Sequence, residues 1–242
     1  MKVIKVENYN EMSQKGFELV VDVLKTVRKP VLGLATGSTP IGVYQAMIQD
    51  HKKNNTSYKC VSAVNLDEYV GIETTNQQSY AYFMRQNLFN HIDIKLENCH
   101  IPNGDQENPE IECERYDDII NNHPVDVQIL GIGGNGHIGF NEPGTPLNSL
   151  THVVSLDEKT RLDNARFFSS LEEVPQRAVT MGIRSIMKAK QIILLASGAS
   201  KADAVAKMIQ GEVSSECPAT ILQLHPNVIV IADSEALSKT SL

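Results

Sequence analysis

Cysteine is scarce in this chain and poorly spaced for chemistry. The four present, Cys60, Cys99, Cys113 and Cys217, form no CxxC pair. That argues against a zinc site and against a dense disulfide framework. Long apolar runs are missing, and no stretch approaches the ~18–20 apolar residues of a membrane span. The opening MKVIKVENYN alternates apolar and polar residues and lacks the apolar core of a signal segment. A basic excess is missing as well. The net charge of −7 disfavours a sequence-independent nucleic-acid binder. An anionic small molecule stays open, because a local loop can bind phosphate inside an acidic protein. There is no internal repeat, low-complexity segment or convincing linker. These absences lead to the expectation of a soluble cytoplasmic protein with free thiols, folded as one domain over residues 1–242.

What is present is alternation. Apolar runs at Lys2–Val6, Val31–Ala35, Cys60–Leu66, Val125–Leu130, His152–Leu156, Gln191–Ala196 and Asn227–Asp233 read as strands. Val179–Met181 is ambiguous. Between them lie helical stripes such as Phe17, Val20, Val21 and Leu24, or Val205, Met208 and Ile209. Glu158–Phe168 reads as a further helix, and Asn98–Asn108 as a loop. Strand and helix in turn predict a doubly wound α/β fold: about seven mostly parallel strands flanked by helices, Rossmann-like in plan. In such sheets ligands bind beyond the carboxyl ends of the strands.

Four strand ends carry polar clusters. The most informative is Val125–Gly144, VDVQILGIGGNGHIGFNEPG. A buried strand runs into Gly131, Gly133, Gly134 and Gly136, and the turn carries Asn135, His137 and Glu142. So much backbone freedom is more easily explained by a ligand than by packing. After Val31–Ala35 come Thr36, Gly37, Ser38, Thr39 and Pro40. Small residues before a helix expose backbone N–H groups to an anion, with Ser38 or Thr39 suited to the N-cap and Pro40 to the first turn. An ordinary capped turn fits too, and no Gly-Lys-Ser/Thr follows to make a Walker loop. Asp67 and Glu68 follow the third strand. Adjacent carboxylates on an extended backbone point to opposite sides, so at most one faces a cleft easily. Lys201, at the start of a helix, opposes the dipole preference, which a bound anion would explain. Arg166 is a surface residue or an anion clamp. On one sheet edge these clusters converge, and a phosphate site, a carboxylate and a His/Glu pair describe proton transfer on a sugar phosphate.

LGLATGSTP, NLDEYVG, GIGGNGHIGFNEPG, the Asn-Ala-Arg-Phe-Phe run, SGASKADAV and LQLHP together resemble the glucosamine-6-phosphate deaminase family, in its order, from about Leu32 to Pro226. The resemblance implies a cofactor-free, metal-free conversion of glucosamine 6-phosphate and water to fructose 6-phosphate and ammonium. By position, Asp67 matches the base that moves the C2 proton. His137 matches the group that opens the pyranose ring, supported by Asn135 and Glu142. Thr36, Gly37, Ser38, Thr39, Arg166 and Lys201 match the phosphate and substrate contacts. Imidazole can take the O1 proton and return one to O5 near neutral pH.

Many members have Asp where this chain has Asn135. An amide keeps an acceptor oxygen for an imidazole N–H but loses the charge, so Asn135 is expected to orient rather than to act as acid or base. Related 6-phosphogluconolactonases share the phosphate loop and a Gly-His loop but do not usually carry the NLDEY and GFNEPG pair. Such a lactonase or another sugar-phosphate enzyme, and a non-catalytic sugar-phosphate sensor, are the competing readings. A lid over the site is expected within about Asp157–Val174. Some longer members are hexamers activated by N-acetylglucosamine 6-phosphate, gripped by basic residues after the NEP segment. Here that stretch, Thr151–Ser155, offers His152 and Val154, and the chain stops at Leu242 without their longer tail. Hence an unregulated monomer or weak homo-oligomer is expected.

Overall fold

The computed structural model describes residues 1–156, 161–162, 170 and 173–241. Arg166 and most of the expected helix Glu158–Phe168 and of the expected lid lie outside the described residues.

The elements are β1 (Lys2–Val6), α1 (Tyr9–Thr26), β2 (Val31–Leu34), α2 (Ile41–Asn54), β3 (Ser62–Asn65), β4 (Asp67–Tyr69), α3 (Tyr80–Asn87), β5 (Cys99–His100), α4 (Pro109–Asn122), β6 (Val127–Leu130), β7 (His152–Ser155), β8 (Arg177–Thr180), β9 (Gln191–Ala196), α5 (Ala202–Gln210) and β10 (Val228–Asp233). Seven strands form one sheet in the order β1-β10-β9-β6-β2-β3-β5, and every pairing in it is parallel. Strands buried on both faces explain the unbroken apolar runs of β9 and β10. Side chains alternate between two cores. Val127 and Ile129 of β6 join Met12, Tyr44 and Met84 on one face, while Leu130 joins Tyr116, Val205 and Met208 on the other.

From β2 the chain winds outward through β3 to β5. It then returns to β6, on the other side of β2, and winds out through β9 to β10. The order therefore reverses between β2 and β6. A crevice opens there because the connections leave in opposite directions.

Two features depart from expectation. His152–Leu156 does not belong to the large sheet. Its strand, β7, pairs with β8 and through it with β4 in a small antiparallel sheet. The seventh parallel strand is instead the two-residue β5, inside what reads as loop. The run Cys60–Leu66 also does not simply end in a turn. Leu66 bonds Leu34 on one side and Met181 on the other, and Asp67-Glu68-Tyr69 continue as a strand of the second sheet. The ambiguous stretch before Met181 is strand β8.

Among the described residues no helix is long and apolar enough to cross a membrane.

Candidate active site

A cleft of about 1050 Å³ opens at the switch point between β2 and β6. Thr36, Gly37, Ser38 and Thr39 line it from the β2–α2 turn, Asp67 from β4, His137 from the loop after β6, and Lys201 from the loop after β9. Thus all four clusters converge. Asn135 and Glu142 stand behind His137 rather than on the cleft wall.

The β2–α2 turn differs from expectation in its cap. Pro40 itself occupies the N-cap position, helix α2 begins at Ile41, and no side chain caps it. Ser38 and Thr39 thereby face the cleft instead of the helix. The cap is replaced from 33 residues away, by Tyr9 at the start of α1. Its hydroxyl accepts from Gly42 N–H at 2.9 Å and donates to the Ser38 carbonyl at 3.0 Å. Tyr9 also lines the cleft. The positive end of α2 then faces the site, a setting that favours an anion.

The paired carboxylates separate as an extended backbone requires. Glu68 turns away from the cleft and is fully buried. It accepts from the N–H groups of Tyr69, Tyr80 and Ala81, each at 2.9 Å, and so closes the amino end of α3. Burial pushes its carboxyl up to about 7 against the pull of those three donors. Asp67 turns into the cleft and is 5% exposed. Its carboxyl is pushed up to about 8, first by burial and then by the charge of Glu68. Tyr80 and Phe140 wall this part of the cleft, with rings stacked 6.0 Å apart, and Tyr69 packs behind them.

His137 and Glu142 form the facing group. Imidazole Nδ1 lies 3.4 Å from Glu142 Oε1, yet it is not aligned as a hydrogen bond and has no other partner among the described residues. Such contacts are often loose in an empty site and tighten on substrate. Glu142 is held by Asn135, whose amide donates to Oε2 at 2.7 Å. The Asn135 oxygen accepts the His137 backbone N–H at 3.2 Å. Asn135 therefore orients the carboxylate and the loop, not the imidazole N–H that the sequence led us to expect. The neutral amide suits this role, because an aspartate here would set two carboxylates against each other. Gly133 is required by close approach: a β-carbon would stand only 2.3–2.5 Å from three atoms of the His137 ring. Gly139, on the same loop, brings it to Asp67, since a β-carbon there would stand 3.4 Å from Asp67 Oδ2.

Sequence reasoning missed Tyr9, Tyr80 and Phe140. Phe140 lies within the GIGGNGHIGFNEPG motif, and Tyr80 follows NLDEYVG by nine residues, but each also reads as core. Among the described residues no cluster of three or more His, Cys, Asp or Glu could hold a metal ion.

Residues 7–230 match the family model of glucosamine-6-phosphate isomerases/6-phosphogluconolactonase. A glucosamine-6-phosphate deaminase of Oceanobacillus iheyensis is 53% identical, over 100% of this chain and 97% of that protein. One of Thermoanaerobacter pseudethanolicus is 53% identical, over 98% and 94%. The solved structure of a monomeric glucosamine-6-phosphate deaminase superposes with a TM-score of 0.97 at 47% identity, covering 99% of this chain and 100% of that one. A 6-phosphogluconolactonase from Trypanosoma cruzi shares the fold, with a TM-score of 0.80 at 18% identity over 100% and 97%.

Proposed function

The chain belongs to the glucosamine-6-phosphate isomerase/6-phosphogluconolactonase family, and from that premise we propose that it converts glucosamine 6-phosphate and water to fructose 6-phosphate and ammonium. The observation that carries this reading over a lactonase is Asp67. A lactonase needs no base at C2, whereas this cleft keeps a buried carboxyl beside the His137 loop at an energetic cost.

The closed sugar enters with its phosphate toward Thr36–Thr39, the α2 terminus and Lys201, with Arg166 as a further contact. His137 takes the O1 proton, the C1–O5 bond breaks, and O5 receives a proton from the imidazolium. Glu142, held by Asn135, fixes the ring for both transfers. The aldehyde acidifies C2–H and Asp67 removes that proton. The enolamine takes a proton back at C1, and water hydrolyses the resulting C2 imine, releasing ammonium. The phosphate is remote from the reacting carbons and supplies orientation.

With its carboxyl pushed up to about 8, Asp67 is mostly protonated in the free enzyme at pH 7. The amino group of the substrate, when protonated, brings the positive charge that favours the carboxylate. kcat/KM, which reports the free enzyme, should therefore rise with pH up to about 8.

One domain spanning the chain, acting in the cytoplasm as a monomer or weak oligomer, completes the reading. Ammonium release from purified protein and glucosamine 6-phosphate tests it. A rate no higher than the uncatalysed one overturns it.

A further inference from the structure

Asp233 is the last residue of β10, beside β9, and takes no part in the steps above. It is 5% exposed. Its Oδ2 accepts from the Ser197 hydroxyl at 2.5 Å, and Gly198 N–H lies 3.1 and 3.0 Å from its two oxygens. Its Oδ1 also accepts from Ala236 N–H at 2.8 Å. Burial would raise this carboxyl, but the donors Ser197, Ala236 and Gly198 hold it below the usual carboxylate value. Gly198 sits at φ 91°, in the left-handed region, and its carbonyl accepts from Lys201 N–H at 3.1 Å. A chain of contacts thus runs from Asp233 through Ser197 and Gly198 to Lys201, and both Ser197 and Lys201 line the cleft.

By charge alone, a carboxylate behind an anion subsite opposes the anion. Its value here is geometric. We propose that Asp233 is a positioning residue for the phosphate subsite, holding the Ser197–Lys201 turn in its binding shape before the sugar phosphate arrives. Prepaid order of this kind strengthens binding without touching the reacting carbons. The proposal rests on the cleft being a sugar-phosphate site.

Asp233→Asn and Ser197→Ala test it, with KM and kcat for glucosamine 6-phosphate and the inhibition constant of inorganic phosphate as readouts. Asp233→Asn keeps the size but loses an ionised acceptor. It should raise KM and the phosphate inhibition constant together by ~10-fold, as loss of one charge-assisted bond does, and leave kcat within about twofold. Ser197→Ala removes a gripped donor with no change of charge and should move both constants the same way, by ~3-fold. An unchanged or tighter phosphate constant in Asp233→Asn overturns the proposal, because the carboxylate would then only repel. Should Asp233→Asn fail to fold, an unchanged constant in Ser197→Ala overturns it equally. Wild type insensitive to inorganic phosphate would overturn the phosphate-subsite reading and the proposal with it. Wild-type inhibition with unaltered variants would overturn the proposal alone.

Discussion

Asp67→Asn should abolish deamination and at the same time stabilise the fold, in a pH-dependent way. The unfolded chain ionises this carboxyl near 3.8, whereas in the folded protein it is pushed up to about 8 by burial and by Glu68. Well below pH 3.8 both states are protonated and Asp67 costs nothing. Between these values the folded state holds a proton that the unfolded chain releases, so stability falls as pH rises. Above pH 8 the whole penalty is present. At ~1.36 kcal/mol per pH unit the interval sets an upper bound of about 5–6 kcal/mol. The asparagine amide must itself be buried, which leaves a gain of roughly 2–3 kcal/mol. For a chain of this size that is about 5–10 °C in melting temperature. Melting curves of wild type and variant at pH 4.5 and 8.5 measure it, alongside ammonium release and exchange of the C2 proton with solvent. The variant should melt above wild type at pH 8.5, with the gap lost or reversed at pH 4.5, where the pH-independent cost of burying the amide is no longer offset, no ammonium released, and inhibition by inorganic phosphate near normal. An equal gap at both pH values would refute the burial argument. Near-normal deamination would refute the assignment of the base.

Glu68→Gln should keep deamination but lose about 2–4 kcal/mol of stability at low pH, since an amide NH₂ must then face one of three backbone donors at the end of α3, and the loss should shrink as pH rises toward 7, because the variant escapes the burial penalty on the raised carboxylate. Without the Glu68 charge the acid limb of kcat/KM should move to lower pH, and loss of ammonium release from the folded variant would contradict this division of roles. Gly133→Ala pushes the His137 ring aside and should lower kcat by ~100-fold, as a displacement of about 1 Å at a reacting group can. A normal kcat would mean that His137 does not open the ring. Rate against glucosamine 6-phosphate should be hyperbolic and indifferent to N-acetylglucosamine 6-phosphate. His152 is tied to the Leu150 carbonyl at 2.8 Å, and Val154 packs on the Tyr69–Phe140 cluster. A sigmoidal curve that the N-acetylated sugar phosphate straightens would sink that expectation.

The sequence by itself determined the parts of this protein that are local. Unbroken apolar runs such as QIILLA mark doubly buried strands, because a strand covered on both faces needs no alternation. The glycines around His137 and the small residues after Leu34 mark strand ends where the backbone can be approached closely, and at Gly133 that space is taken by the His137 ring. What the tertiary structure decided depends on pairing across distance. Asp67-Glu68-Tyr69 follows β3 after the single residue Leu66, and only its antiparallel register with Ala178–Thr180 sends Asp67 to the cleft and Glu68 to α3. The two residues of β5 are too few to carry a pattern, and an edge position beside β3 alone makes them a strand. Tyr9 caps a helix 33 residues further on, and Asp233 grips a turn 35 and 36 residues before it. No local spacing encodes either contact. The ionisation of Asp67 belongs to the same class. An Asp–Glu pair in a turn would be two solvated anions, and it is the surrounding aromatic wall and the second sheet that take water away and push the Asp67 carboxyl up to about 8.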